Sequence, residues 1–172
     1  MTRTRTSVGI AGFSLIELVV VILVVALLAA IAIPSYQSQI RKSRRTDART
    51  AVVDLAAREE KYFSLNNSYT NSATNLGYGT GATFPQNVGS GYYQVYVCPA
   101  STAGSTVSTT PCTAASATTT GTSYVVAAIP ASGSTQANDS SCQYFAIDNT
   151  GTQFASASSA GTGSDVSSTC WR

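Results

Sequence analysis

The stretch GFSLIELVVVILVVALLAAIAIP, residues 12–34, sets a glycine, an aromatic and one carboxylate, Glu17, at the mouth of an otherwise apolar run. Leu18 to Ile33 is sixteen residues without a polar side chain, and Phe13, Leu15 and Ile16 extend it to about the twenty that a bilayer requires. Twelve of the sixteen are Val, Leu or Ile. At roughly −0.3 to −0.6 kcal/mol each they favour insertion by on the order of 4 to 7 kcal/mol, against about 3 kcal/mol for an acid at mid-membrane and less near its edge. The segment therefore predicts a membrane span that tolerates Glu17, but at a cost.

An ordinary cleaved secretory signal is the plainer reading, with Arg3 and Arg5 as its charged start. The apolar run is longer than the roughly 7 to 15 residues of such a core, and AIAIPSYQSQIRKSRR continues as helix-compatible sequence rather than a loop. A cut between Gly12 and Phe13 gives Glu17 a chemical rationale, because it creates a positive amine four residues before the carboxylate. After Glu17 the next cation is Arg41. Pairing of amine and acid within one helix, or between neighbouring copies, is open on geometry alone. A membrane-embedded acid whose partner sits on another subunit favours assembly.

GFSLIEL followed by a long apolar helix resembles the class III signal of type IV pilins and their relatives. The resemblance implies that a dedicated prepilin peptidase cuts after Gly12 and methylates the new terminal Phe13, and that Glu17 recruits or registers a neighbouring subunit. It continues through AAIAIPSYQSQIRKSRRTDARTAVVDLAAREEKYFSLNNSYT, residues 29–70, where Pro34 matches the family's helix-kinking proline and the pattern is most like minor pilins of the PilE type. Ala11 stands where a basic residue often precedes the glycine, and Ala26 where many pilins carry glycine.

Orientation is set by two opposing signals. Arg3 and Arg5 precede the span and Arg41, Lys42, Arg44 and Arg45 follow it, which by charge alone places the C-terminal part in the cytoplasm. The resemblance implies the reverse. Cys98, Cys112, Cys142 and Cys170 all follow the span, and an even cysteine count in a Ser/Thr-rich region fits an oxidising compartment. Residues 35–172 are therefore expected outside the cytoplasm.

Beyond Pro34 the helix is predicted to continue, because Ala48, Ala51, Val52, Leu55, Tyr62 and Phe63 recur mostly at spacings of three and four. Asp47, Arg49, Asp54, Arg58 and Lys61 read as its solvated face, with Asp54 and Arg58 at a favourable spacing. SLNNSYTN ends it. The apolar stripe needs a sheet to cover it. Strand signals are GYYQVYV at 91–97, SYVVAAI at 123–129 and CQYFAID at 142–148, the last turning through NTG into TQFAS at 152–156 as a hairpin.

Between the first two strands, residues 101–123 hold fourteen Ser or Thr, which is loop composition. Sequence proximity makes Cys98–Cys112 the natural bridge and leaves Cys142–Cys170, although four cysteines allow three connectivities. The chain has no histidine and no CxxC, which speaks against zinc, and a serine nucleophile lacks its usual base. Asn138, Asp139, Asp148, Asn149 and Asp165 offer oxygen ligands for calcium but no EF-hand spacing; Asp148, Asn149 and Gly151 are more simply a turn. From residue 67 onward three acids face one base, Arg172, which argues against nucleic acid as a partner. The four bases at 41–45 are expected to meet phospholipid heads or acids of neighbouring subunits. Without residues 1–12 the chain has eight bases and eight acids, so close packing of many copies meets little net repulsion.

The expected fold is α+β and pilin-like: a long N-terminal helix, its first half membrane-spanning, packed on an antiparallel sheet of about four strands. Its segments are a leader, 1–12; a transmembrane and assembly helix, 13–34; an amphipathic continuation, 35–66; and a β-sheet head with disulfides, 67–172. The resemblance implies a non-enzymatic minor pilin without cofactor or metal. It implies an inner-membrane precursor with its head in the periplasm, later part of a cell-surface fibre that supports pilus biogenesis, twitching motility and adhesion. The implied partners are other pilin subunits, prepilin peptidase, the inner-membrane assembly platform and, before assembly, membrane lipid. A pseudopilin of a type II secretion system and a DNA-binding or adhesive pilus-tip pilin are the alternatives.

Overall fold

The computed structural model describes residues 13–79, 81–99, 121–161 and 164–172. Its elements are a long helix α1 (Leu15–Asn66), five strands, β1 (Gln86–Val88), β2 (Tyr93–Pro99), β3 (Tyr124–Pro130), β4 (Tyr144–Asp148) and β5 (Gln153–Ser156), a 3₁₀ turn at Thr135–Asn138, and a short helix α2 (Ser167–Cys170). The chain divides into two units, the first reaching Gln39 and the second running from Ile40 to Arg172, and α1 contributes to both.

α1 runs through Pro34 and stops at Asn66. Asn67 there takes a left-handed conformation, φ 53°, and its N–H closes on the Phe63 carbonyl at 2.8 Å, a helix end that asparagine tolerates better than most residues. In the second unit the predicted stripe is buried. Ala48, Ala51, Val52, Leu55 and Ala56 line it, Tyr62 and Phe63 pack partly buried against the same core, and Glu59 is an unexpected buried member.

The sheet is an antiparallel meander in the order β1-β2-β3-β4-β5. Side chains alternate strictly between two apolar clusters. Tyr93, Val95, Val97, Tyr124, Val126, Ala128, Phe145 and Ala155 share a cluster with the α1 stripe. Tyr96, Cys98, Val125, Ala127, Tyr144 and Ala146 form a second one, with Ile129 and Phe154 partly buried against it. Since a strand directs successive side chains to opposite faces, burial on both faces is why YVVAAIP of β3 is apolar throughout rather than alternating.

Five strands stand where the sequence predicts about four. The additional one, β1, has three residues and follows Pro85, so it is too short to alternate; it is defined by its pairing with β2, Gln86 opposite Val95 and Val88 opposite Tyr93. The predicted strands begin one or two residues late. In β2 the cause is Gly91, whose φ of 80° and N–H bond to the Val88 carbonyl at 2.9 Å complete the turn first. The β4–β5 hairpin turns on Asp148, whose Oδ1 accepts the N–H groups of Thr150 and Thr152, each at 2.9 Å, with Gly151 at φ 80°.

The C-terminal segment closes the β5 edge. Val166 N–H bonds the Ala155 carbonyl at 2.9 Å, so that edge carbonyl is occupied within the chain, and Trp171 Nε1 donates to the Phe154 carbonyl at 3.0 Å. Trp171 also meets Phe145 edge-on, with ring centroids 6.0 Å apart. The Cys142–Cys170 disulfide, across a sequence separation of 28, fastens this segment to the start of β4. Cys98 is disulfide-bonded as well; its expected partner, Cys112, lies outside the described residues. Closing a loop of this length is worth about 3 to 4 kcal/mol in the chain-entropy picture. The Cys142→Ser/Cys170→Ser double variant is therefore expected to unfold at lower urea, with a loss of about 3 kcal/mol. Fluorescence of the single tryptophan, Trp171, reads this directly in the full chain in detergent.

Candidate assembly surface

In the first unit, the apolar side chains from Phe13 to Ile33 are left uncovered. Phe13 is 79% exposed, and the large aliphatic residues from Leu15 to Ile33 are all exposed. This is the one helix among the described residues long and apolar enough to cross a membrane; the qualifying window has a mean hydropathy of 3.2 and none of it is buried. A core helix of a soluble protein passes the same length and composition test but is covered by its own chain, and this segment is not. Each Leu, Ile or Val left in water forgoes about 1.5 to 3 kcal/mol of burial, so the surface requires lipid or other apolar helices.

Glu17 lies in the first turn of α1, where a negative charge meets the positive end of the helix dipole. Phe13 stands four residues earlier, before the helix begins, and Gly12 lies outside the described residues. Pro34 is inside the helix. Having no N–H, it leaves the Ala30 carbonyl without its helical donor, a local weak point in an otherwise continuous ladder.

The basic run after the span is used differently from expectation. Arg45 makes a bidentate pair with Asp139, Nε to Oδ2 and Nη2 to Oδ1, both at 2.7 Å. Gln136 Nε2 joins it, donating to Asp139 Oδ2 at 3.0 Å and to the Arg41 carbonyl at 3.4 Å. Burial pushes the Asp139 carboxyl up, but the Arg45 guanidinium and the Ser141 and Cys142 amides outweigh it and hold the group below the ordinary aspartate value. Arg44 donates to Thr135 Oγ1 at 2.7 Å and stands 3.5 Å over the centre of the Tyr92 ring. Arg44 and Arg45 therefore clamp residues 134–142 to α1, in place of the lipid or neighbour contacts expected for all four bases. Arg45 and Asp139 are 94 residues apart in sequence, so no local pattern announces the pair.

The remaining polar candidates are engaged within the head. Asp165 accepts from the Ser167 N–H at 2.8 Å, and Asp148 holds its turn. Among the described residues no group of three or more His, Cys, Asp or Glu is placed to hold a metal ion. A groove between α1 and residues 74–77 is lined by Arg58, Lys61 and Tyr62. Its guanidinium is committed, however: Arg58 bonds Asp54 at 3.0 Å, as the helical spacing predicts, and the Gly77 carbonyl at 2.6 Å.

The chain matches the family described as "Type IV minor pilin ComP, DNA uptake sequence receptor" over residues 34–146. It is 34% identical over 67 residues to the type IV major pilin protein PilA of Myxococcus xanthus (strain DK1622), covering 39% of this chain and 30% of that one. To the type IV major alpha-pilin of Moraxella bovis it is 42% identical over 72 residues, 38% of this chain and 45% of that one. To prepilin peptidase-dependent protein D of Escherichia coli (strain K12) it is 58% identical over 36 residues, 21% and 25%. The chain thus spans less than half the length of each of these relatives. An exposed apolar helix headed by Glu17, a sheet packed on the second half of that helix, and a family match over well over half of the residues lead to one conclusion: this chain belongs to the type IV minor pilin family.

Proposed function

We propose that the chain is a structural subunit of a type IV pilus, made as an inner-membrane precursor with its head in the periplasm and incorporated in the fibre through residues 13–34. The observation that carries this is the uncovered apolar half of α1, which needs lipid before assembly and like helices after it. Processing follows from the same segment: prepilin peptidase cuts between Gly12 and Phe13 and methylates Phe13, and the new amine pairs with Glu17 of a neighbouring copy. The relative named for its dependence on prepilin peptidase supports that step. An assembly platform in the inner membrane draws the processed subunit into the fibre, and the subunit's role is structural rather than catalytic.

Mass spectrometry of fibres sheared from the native host is expected to find a peptide beginning at Phe13 with one added methyl group, at low abundance relative to the main fibre subunit. Glu17→Leu is expected to lower its recovery in fibres at least tenfold while leaving the amount in the membrane unchanged. Processed protein confined to the envelope would instead identify a secretion pseudopilin, and Met1–Gly12 attached everywhere would overturn the processing step.

DNA capture is the second reading, favoured by one observation. The family match starts at Pro34 and so rests on the head and the amphipathic half of α1, not on the generic apolar stretch, and its description names a DNA uptake receptor. Charge opposes it. Arg44, Arg45 and Arg58 have partners within the chain, Arg49 bonds the Arg172 carbonyl, and from residue 67 onward three acids face one base, which leaves Arg41, Lys42 and the distant Lys61. The full chain in detergent, titrated with duplex DNA at about 50 and 200 mM salt, decides. Affinity that falls steeply with salt supports a receptor, and no binding at the lower salt excludes it.

A further inference from the structure

The buried stripe of α1 carries one residue whose polarity does not fit. Glu59 follows Leu55 by one turn and Val52 by two, and it is 0% exposed. A carboxyl there is comfortable only if both oxygens find partners. Oε2 accepts the Thr70 N–H at 3.1 Å. Oε1 is buried without a hydrogen-bond partner. The titratable groups that face it are Glu60 from α1 itself, Tyr69 from the segment after the helix and Tyr124 from β3. Of these Glu60 is the other carboxyl, and its like charge works against ionisation of Glu59. The helix's nearest bases do not compensate: Arg58 is turned to Asp54 and the Leu76 and Gly77 carbonyls, and Lys61 is exposed.

We propose that Glu59 is a protonation-controlled latch, which holds residues 67–73 against the end of α1 when neutral and loosens them when it ionises. The segment has other fastenings, all neutral apart from the bond that Tyr69 Oη donates to Glu60 at 3.1 Å: the Ser72–Thr83 bridge, and Tyr69 and Ala73 buried in the cluster that covers the α1 stripe. Tyr69 N–H bonds the Gly121 carbonyl at 3.1 Å, Ala73 N–H bonds the Ala82 carbonyl at 3.1 Å, and the Tyr69 ring lies between Phe63 and Tyr124. The inference does not depend on the pilus reading, because it concerns only how the head is held together.

The direction of the effect follows from proton binding. Burial pushes the Glu59 carboxyl up, the Thr70 amide pulls it partly back and Glu60 raises it further, to about 7 from an ordinary 4.5. Between those values the closed state holds a proton that the open state has lost, so opening becomes easier as pH rises. The latch is at full strength below the ordinary value, weakens by up to tenfold in its opening equilibrium per pH unit across the interval, and is weakest above the raised one.

Hydrogen exchange on the full chain in detergent micelles tests this at the amides of Tyr69, Thr70 and Ala73. After correction for the intrinsic rate, protection is expected to fall at least tenfold, and up to roughly a hundredfold, between about pH 5 and pH 8. The drop is expected to vanish in Glu59→Gln. Equal protection at both pH values, or the same drop in Glu59→Gln, overturns the latch. The carboxyl-carbon resonance of Glu59 supplies a check that needs no variant: a midpoint near 7 supports the latch and one near 4.5 overturns it.

Discussion

An apolar surface that its own chain does not cover must be covered by something else, and the rest of this protein is arranged around that requirement. Residues 13–33 present Val, Leu and Ile on every side of a helix, so no single face is reserved for a partner element of the same chain. In a bilayer the lipid tails satisfy such a surface all round. Other apolar helices would satisfy it equally, and an acid at the edge of such a surface is far more costly unpaired than paired.

The second half of α1 solves the opposite problem with the same backbone. Ala48, Ala51, Val52 and Leu55 form a narrow stripe of small and medium side chains on which the sheet packs closely, and most of the charged residues of this half lie off the stripe. The sheet is anchored to this half by more than apolar contact. The Arg45–Asp139 pair and Arg44 over Tyr92 fasten the strand connection at 134–142 to the helix, and the Cys142–Cys170 bridge fastens the last residues to the sheet. A partly buried bidentate arginine pair loses much if either partner is removed, so it fixes where the connection sits more effectively than an exposed ion pair does.

Much of this was legible from residue patterns. The continuous apolar run, the three-four spacing of the stripe, the Asp54–Arg58 pair and the turn after Asp148 are local features, decided by neighbours within a few positions. What escaped was non-local. β1 has three residues and exists because β2 offers it a ladder, so no pattern of its own marks it. Arg44 and Arg45 read as bases for phospholipid heads or neighbouring subunits because their partners within the chain lie about ninety residues away. Glu59 falls on the buried stripe by its helical spacing while Glu60 falls off it and is exposed, but a glutamate reads as a surface residue and is not counted in the stripe.

The sequence by itself determined that one helix must leave its apolar half to lipid or to other copies, because hydrophobic length and the absence of polar interruptions are properties of consecutive residues. It also marked SYVVAAI, residues 123–129, as a strand, while its place at the centre of the sheet came from the pairing of distant strands. Only the tertiary structure decided which charges are free and which are structural, and which of two adjacent glutamates loses its water. Those outcomes depend on desolvation and on the approach of distant segments, quantities that no stretch of neighbouring residues encodes.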